Sequence, residues 1–288
     1  MAVAEATGWR RETEDAARAA AGGMLFGIPL LYTMEVWWIG SFASPLRKLA
    51  VLAMSFLLLI VLNRTGGFRT TKDIRLADAA KDSVEALAIA FVCVAAVLVL
   101  LRELTGTTPI DEALGKVVYQ SAPFVVGVGF ATHFLSRRRS GDDDDGGDDD
   151  AATADDKNAT LSDIGGTVLG ATFVSFAIAP TDEVPMIGAA LSAPWVLALL
   201  IASVVVSYVI VFEAGFSDEE SRRSQSGVMQ HPATETVVCY LLSLVTAAAL
   251  LLFFGRVTLD DPFPFTVTQV IVLGLPAAIG GAAGRLVV

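Results

Sequence analysis

Charge is scarce in this chain, and lysine is scarcer still. Only 18% of its 288 residues are Asp, Glu, Lys or Arg, and lysine occurs only at Lys48, Lys72, Lys81, Lys116 and Lys157. A soluble domain of this length needs more charged surface, which excludes a water-soluble globule. Cysteine is limited to Cys93 and Cys239, both within apolar runs, so neither a disulfide nor a metal site is the first expectation. His133 and His231 have no cysteine or second histidine at ligand spacing and read as solvated side chains. The phosphate-binding Gly-x-x-x-x-Gly-Lys-Ser/Thr, the zinc-protease His-Glu-x-x-His and the Gly-x-Ser-x-Gly elbow are all missing. Lys48 and Lys116 stand near the ends of apolar runs, which leaves no mid-span lysine for a retinal Schiff base. With a net charge of −11, a nucleic-acid partner is not expected. No enzyme activity, catalytic residue or cofactor is expected.

What is present is apolar sequence: 54% of residues are hydrophobic, with a mean hydropathy of +0.62. Runs long enough to cross a hydrocarbon core of roughly 30 Å recur along the chain. They read as Gly22–Gly40, Pro45–Leu62, Leu87–Leu101 (with an amphipathic start at Asp82), Leu114–Leu135, Ile164–Ala179, Pro194–Phe212, Val237–Phe254 and Val267–Val288. Backbone groups in lipid must pair internally, so these runs are expected to be helices. Residues 1–21 carry Arg10, Arg11, Glu12, Glu14, Asp15 and Arg18 with no apolar core, so the first run is expected to be an uncleaved span. The fold class expected is all-α, a polytopic membrane protein of about eight transmembrane helices. Its organisation is a cytoplasmic segment 1–21, a four-helix repeat 22–139, an acidic disordered linker 140–160 and a second four-helix repeat 161–288.

Arginine and lysine set the orientation. Arg10, Arg11 and Arg18, the group Arg64, Arg69, Lys72 and Arg75, the run Arg137–Arg139, and Arg222 with Arg223 all fall on one face if there are eight spans. Arg47, Lys48, Arg102 and Arg256 fall on the other, each near a helix end. A multi-pass protein of the cell membrane with both termini cytoplasmic is expected.

An internal repeat underlies the two halves. Thr33-Met34-Glu35-Val36-Trp37-Trp38-Ile39-Gly40 and Thr181-Asp182-Glu183-Val184-Pro185-Met186-Ile187-Gly188 both read Thr-x-Glu-Val-x-x-Ile-Gly. The same register pairs Ser55 with Ser203, and a small slip pairs Pro123 with Pro276 and Gly127 with Gly280. Four spans per half give both halves one orientation, hence a parallel repeat about an axis along the membrane normal.

Glu35 and Glu183 are the candidate ion-binding or proton-carrying residues, with Thr33, Thr181 and Asp182 as supporting groups. If helix 1 ran straight, Glu35 would lie about 20 Å from its cytoplasmic end at 1.5 Å per residue. Ionisable groups inside spans mark ion and proton paths. The competing reading makes each glutamate an interfacial acceptor for backbone or tryptophan N–H groups. Pro29, Pro123, Pro180, Pro185 and Pro276 are candidate kinks or hinges. Gly166, Gly170, Gly280, Gly281 and Gly284 form small-xxx-small faces suited to close helix packing.

The low lysine content and the aspartates at Asp142–Asp145 and Asp148–Asp150 resemble haloarchaeal proteins, although an acidic linker alone produces part of that pattern. Three segments carry a closer resemblance: Gly-Ile-Pro-Leu-Leu-Tyr-Thr-Met-Glu-Val-Trp-Trp (27–38), Ala179-Pro180-Thr181-Asp182-Glu183, and Pro276 followed by Gly280-Gly281-Ala282-Ala283-Gly284-Arg285-Leu286. They resemble an uncharacterised prokaryotic family of integral membrane proteins with a domain of unknown function. The resemblance implies membrane location and a helical fold, and brings no activity or site residue with it. Two functions follow from the residues themselves. One is a channel or transporter for a monovalent or divalent cation or a proton. The other is a non-transporting scaffold or sensor that binds a partner subunit. The lipid bilayer is the expected surrounding in both, with homo-oligomerisation left open.

Overall fold

The computed structural model describes residues 2–66, 76–138, 152–213 and 232–287. The Asp/Gly run expected as a linker lies mostly outside these residues, as do the basic clusters after the second and sixth apolar runs. The chain is all-helical, with no strand among the described residues, and divides into two compact units, Met1–Ser136 and Arg137–Val288.

The first unit holds α1 (Ala2–Leu31), α2 (Met34–Phe42), α3 (Pro45–Gly66), α4 (Leu76–Leu100) and α5 (Ile110–Arg138). The second holds α6 (Ala152–Phe176), α7 (Glu183–Ala190) and α8 (Ala193–Tyr208), which widens into a π turn at Val209–Glu213. It continues with α9 (Pro232–Phe253) and α10 (Phe263–Val287). Both polar flanks are helical where apolarity alone predicts none: α1 takes in residues 2–21, and α6 starts within the stretch 140–160.

Local chemistry explains several ends. Pro45 opens α3 and Pro194 sits in the first turn of α8, positions where a missing N–H costs nothing. After α4, the N–H groups of Glu103 and Leu104 both reach the Leu98 carbonyl, at 2.9 and 3.1 Å, around a left-handed Arg102 at φ 65°. After α9, Arg256 and Val257 close on the Leu251 carbonyl, at 2.8 and 3.4 Å, around Gly255 at φ 67°. Glycine adopts that conformation freely, whereas Arg102 does so at about 1–2 kcal/mol.

Among the described residues, five helical segments are long and apolar enough to cross a membrane: Pro45–Leu62, Ala79–Leu100, Ala193–Phe212, Pro232–Phe253 and Phe263–Leu286. A sixth arises if Asp15–Leu31 and Met34–Phe42 count as one span, although they meet at 88°. The expected straight span Gly22–Gly40 is therefore corrected to two helices. The apolar part of α6, Asp163–Phe176, is too short on its own. Large apolar side chains such as Leu46, Leu49, Met54 and Leu57 on α3, and Leu169 and Phe173 on α6, are exposed. Water would penalise so broad an apolar surface, and lipid does not.

Glycine fixes how closely helices approach in each unit. A Cβ on Gly127 of α5 would lie 2.6 Å from the Gly22 carbonyl oxygen of α1. In the second unit, Cβ atoms on Gly170 and Gly284 would fall onto the carbonyls of Gly280 and Gly166. The small-residue faces expected on these helices pack against each other. Around this seam α10 is the enclosed helix of its unit, and every residue from Ile271 to Ala282 is buried.

Candidate functional site

The two Thr-x-Glu-Val motifs both sit at interruptions between a long helix and a short one. In the first unit the backbone turns extended at Thr33 (φ −90°, ψ 112°), between α1 and α2. All four terminal carbonyls of α1 find donors there. Tyr32 N–H reaches Ile28 at 3.3 Å, Thr33 Oγ1 reaches Pro29 at 3.1 Å, Thr33 N–H reaches Leu30 at 3.0 Å, and the buried Trp37 indole reaches Leu31 at 2.9 Å. A helix end satisfied in this way is stable away from water. The tryptophan N–H therefore serves a carbonyl and not Glu35. Pro29 lies inside α1, and the break comes after it. Glu35 is exposed in the first turn of α2, and Thr33 is half-buried.

In the second unit the chain leaves α6 at Phe176 and enters α7 at Glu183. Ile178 accepts hydrogen bonds from both the N–H and the hydroxyl of Thr181, at 3.0 and 2.7 Å. The guanidinium of Arg256, from the segment after α9, donates to the Pro180 carbonyl and pairs with Asp182 Oδ1 at 2.5 Å. Pro180 thus lies within the break, and Pro185 occupies the first turn of α7, which tolerates it. Pro123 and Pro276 lie inside the continuous helices α5 and α10. Asp182 is exposed, Thr181 is half-buried, and Glu183 is buried at 7% exposure. The two motifs, alike in sequence, place their glutamates in opposite surroundings.

Other charged groups complete the picture. Lys48 is buried and donates to the carbonyl and the carboxylate of Asp111, each at 2.6 Å. Lys116, also buried, pairs with Glu103 at 3.2 Å and Glu112 at 3.0 Å, and Ser41 approaches Glu112 at 3.4 Å. At the far end of the second unit Arg285 is fully buried, in contact with Glu235 and 3.8 Å from Asp163. Lys48 and Arg285 are compensated by partners from other helices, and Lys116 by Glu112 of its own helix and Glu103 of the preceding connection. Sequence reasoning missed Arg256 as a ligand of the break and Arg285 as the centre of a three-helix cluster. The glycine stripe Gly280, Gly281 and Gly284 just before Arg285 is the sequence signal that points toward it. Nothing in the sequence relates Arg256 to Pro180. Among the described residues no three His, Cys, Asp or Glu side chains come together as a metal site, and Cys93 and Cys239 form no disulfide.

The family described as "Putative integral membrane protein (DUF2391)" matches residues 15–288. No curated protein and no solved structure matches the chain. A match over nearly the whole length, on a chain of long apolar helices, shows that the protein belongs to this family of integral membrane proteins.

Proposed function

We propose that the chain crosses the membrane eight times as two parallel four-helix repeats and moves a small cation or a proton, with Glu183 carrying the charge. The burial of Glu183 beside a helix interruption is the observation that carries this reading. Ionisable groups are expensive in a bundle that faces lipid, and those retained there serve ion or proton paths. Interrupted helices are the usual way such sites are built. Thr181 and Asp182 support the site, and Arg256 holds its backbone in place.

The repeat is supported by matching elements. Each unit runs long helix, short helix and three long helices, and each short helix opens on its motif. Gly127 meets Gly22 and Phe26 in the first unit, while Gly280 meets Gly170 and Val174 in the second, at the positions the repeat register pairs. Arg102 and Gly255 take the same left-handed turn after corresponding helices. Four crossings per repeat, with the arginine bias of the sequence, keep both termini on the cytoplasmic face of the cell membrane. The repeats are chemically unequal, and the exposed Glu35 with Thr33 forms a corner and not a second site.

The test is ion flux into liposomes holding the purified full-length protein, with H⁺, Na⁺, K⁺ and Ca²⁺ compared. At least one ion should move, Glu183→Gln should reduce its flux to background without unfolding the protein, and Glu35→Gln should leave most of it. Empty-liposome rates for every ion, or full activity in Glu183→Gln, would remove transport and favour the partner-binding scaffold.

A further inference from the structure

The acids around Arg285 have counterparts in the first unit, and the arginine has none. α4 and α9 correspond residue for residue. The carbonyls of Leu98 and Leu251 close their last turns, just before the left-handed Arg102 and Gly255. At the same step along the chain, Ser83 and Thr236 each donate to the carbonyl four residues earlier, at 2.7 Å. Ala86, Ala90 and Val94 are buried, as are Cys239, Ser243 and Ala247. This register pairs Asp82 with Glu235, and both are 8% exposed. The seam glycines extend the match to the other helices, since Gly127 meets Gly22 in the first unit as Gly280 meets Gly170 in the second. On that register Asp15 of α1 falls at the position of Asp163 of α6, and Thr132 of α5 at the position of Arg285.

The second unit compensates its acids from α10, where the Arg285 guanidinium contacts Glu235 and lies 3.8 Å from Asp163. In the first unit Arg18, one turn on from Asp15, pairs with it at 3.0 Å. Asp82 has no hydrogen bond or ion pair among the described residues, although it is more than nine-tenths buried. It stands three residues into the apolar run Ala79–Leu100, and the small part of its surface left open lets an ion reach it. A carboxylate withdrawn from water needs a compensating charge.

We propose that Asp82 binds a small monovalent cation, Na⁺ or K⁺, whose charge takes the place held by the Arg285 guanidinium in the second unit. The inference rests on the repeat proposed above and not on transport, and it adds a cation site to the first unit. One carboxylate matches one unit of charge. Hard cations take oxygen ligands, and water completes the shell of one held by a single carboxylate. A divalent ion would draw in more carboxylates, and among the described residues no three acidic, His or Cys side chains come together. By the arginine bias the site opens on the cytoplasmic face.

Melting of the purified full-length protein in NaCl, KCl and N-methyl-D-glucamine chloride, at equal ionic strength so that screening is constant, tests this. The Glu183→Gln background takes the proposed transport site out of the measurement. In it, replacing N-methyl-D-glucamine by Na⁺ or K⁺ should raise the melting temperature, by about 3 °C for each tenfold rise in the bound cation above its Kd. Adding Asp82→Asn, which keeps the shape and removes the charge, should give one melting temperature in all three salts. Thr132→Arg should do the same, because its guanidinium fills the place of the cation. If Asp82→Asn fails to fold, Thr132→Arg decides. Loss of the cation effect in Asp82→Asn alone supports the site and tells against the register. One melting temperature in all three salts before either substitution, or a cation effect that survives Asp82→Asn, overturns the site. Neither result bears on flux through Glu183, which the liposome assay reads separately.

Discussion

Replacing Gly127 by alanine should destabilise the protein, although alanine is the better helix former. The new Cβ would sit 2.6 Å from the Gly22 carbonyl oxygen and 3.1 Å from the Gly23 Cα, and real Cβ atoms essentially never come within 3.0 Å. Backbone on both sides cannot swing away, so α1 and α5 must part by about 0.5 Å or more. Phe124 packs against Gly23 and Gly27 in the same seam and loses contact as they separate. A buried side chain makes about 40–60 contacts of about 0.1–0.2 kcal/mol, and such a gap forfeits a quarter or more, a loss of about 2 kcal/mol. The helix-propensity gain of about 1 kcal/mol offsets part of it, leaving a net cost of about 1 kcal/mol. Gly165 of α6 is the control, because its Cβ would meet nothing within 4 Å. Gly165→Ala should therefore gain up to about 1 kcal/mol. Thermal unfolding of the detergent-solubilised protein, followed by helical circular dichroism, compares the two directly. A melting temperature for Gly127→Ala at or above that of Gly165→Ala would refute the packing argument.

Arg285→Met leaves Glu235 and Asp163 uncompensated, and should cost about 3–5 kcal/mol. A thermal shift should show it, with partial recovery on adding Glu235→Gln. Trp37→Phe strips the donor from the Leu31 carbonyl and should cost about 1–3 kcal/mol, read by the same melt. An unchanged melting temperature would mean that the end of α1 is satisfied by other means. For topology, cysteines placed at Ser44 or Ser192 should react with impermeant thiol reagents on intact cells, and cysteines at Ser140 or Ser224 should not. The reverse pattern inverts the orientation.

Much of the architecture was legible in the sequence because it rests on local, one-dimensional signals. Long uncharged runs require helices in lipid, wherever the rest of the chain goes. Glycines four apart leave a bare strip on any helix, so the seam of Gly166 and Gly170 with Gly280 and Gly284 could be anticipated from spacing. Pro180 marked the place where α6 gives way to the short α7, whereas the first motif was expected inside an unbroken span. Hydropathy could not show that the run Gly22–Gly40 turns through 88°. The turn depends on donors that reach back to the end of α1, one of them an indole six residues on. Nor could it separate Glu35 from Glu183. Two segments sharing Thr-x-Glu-Val-x-x-Ile-Gly became an exposed corner and a buried carboxylate because burial is set by what packs around a residue, and that comes from other helices. Arg256 reaches Pro180 across more than seventy residues, and Arg285 meets acids from α6 and α9. Such pairings are properties of three-dimensional proximity, so the sequence determined the helices and their close-packing faces, and only the tertiary structure decided which charges are buried and what holds them.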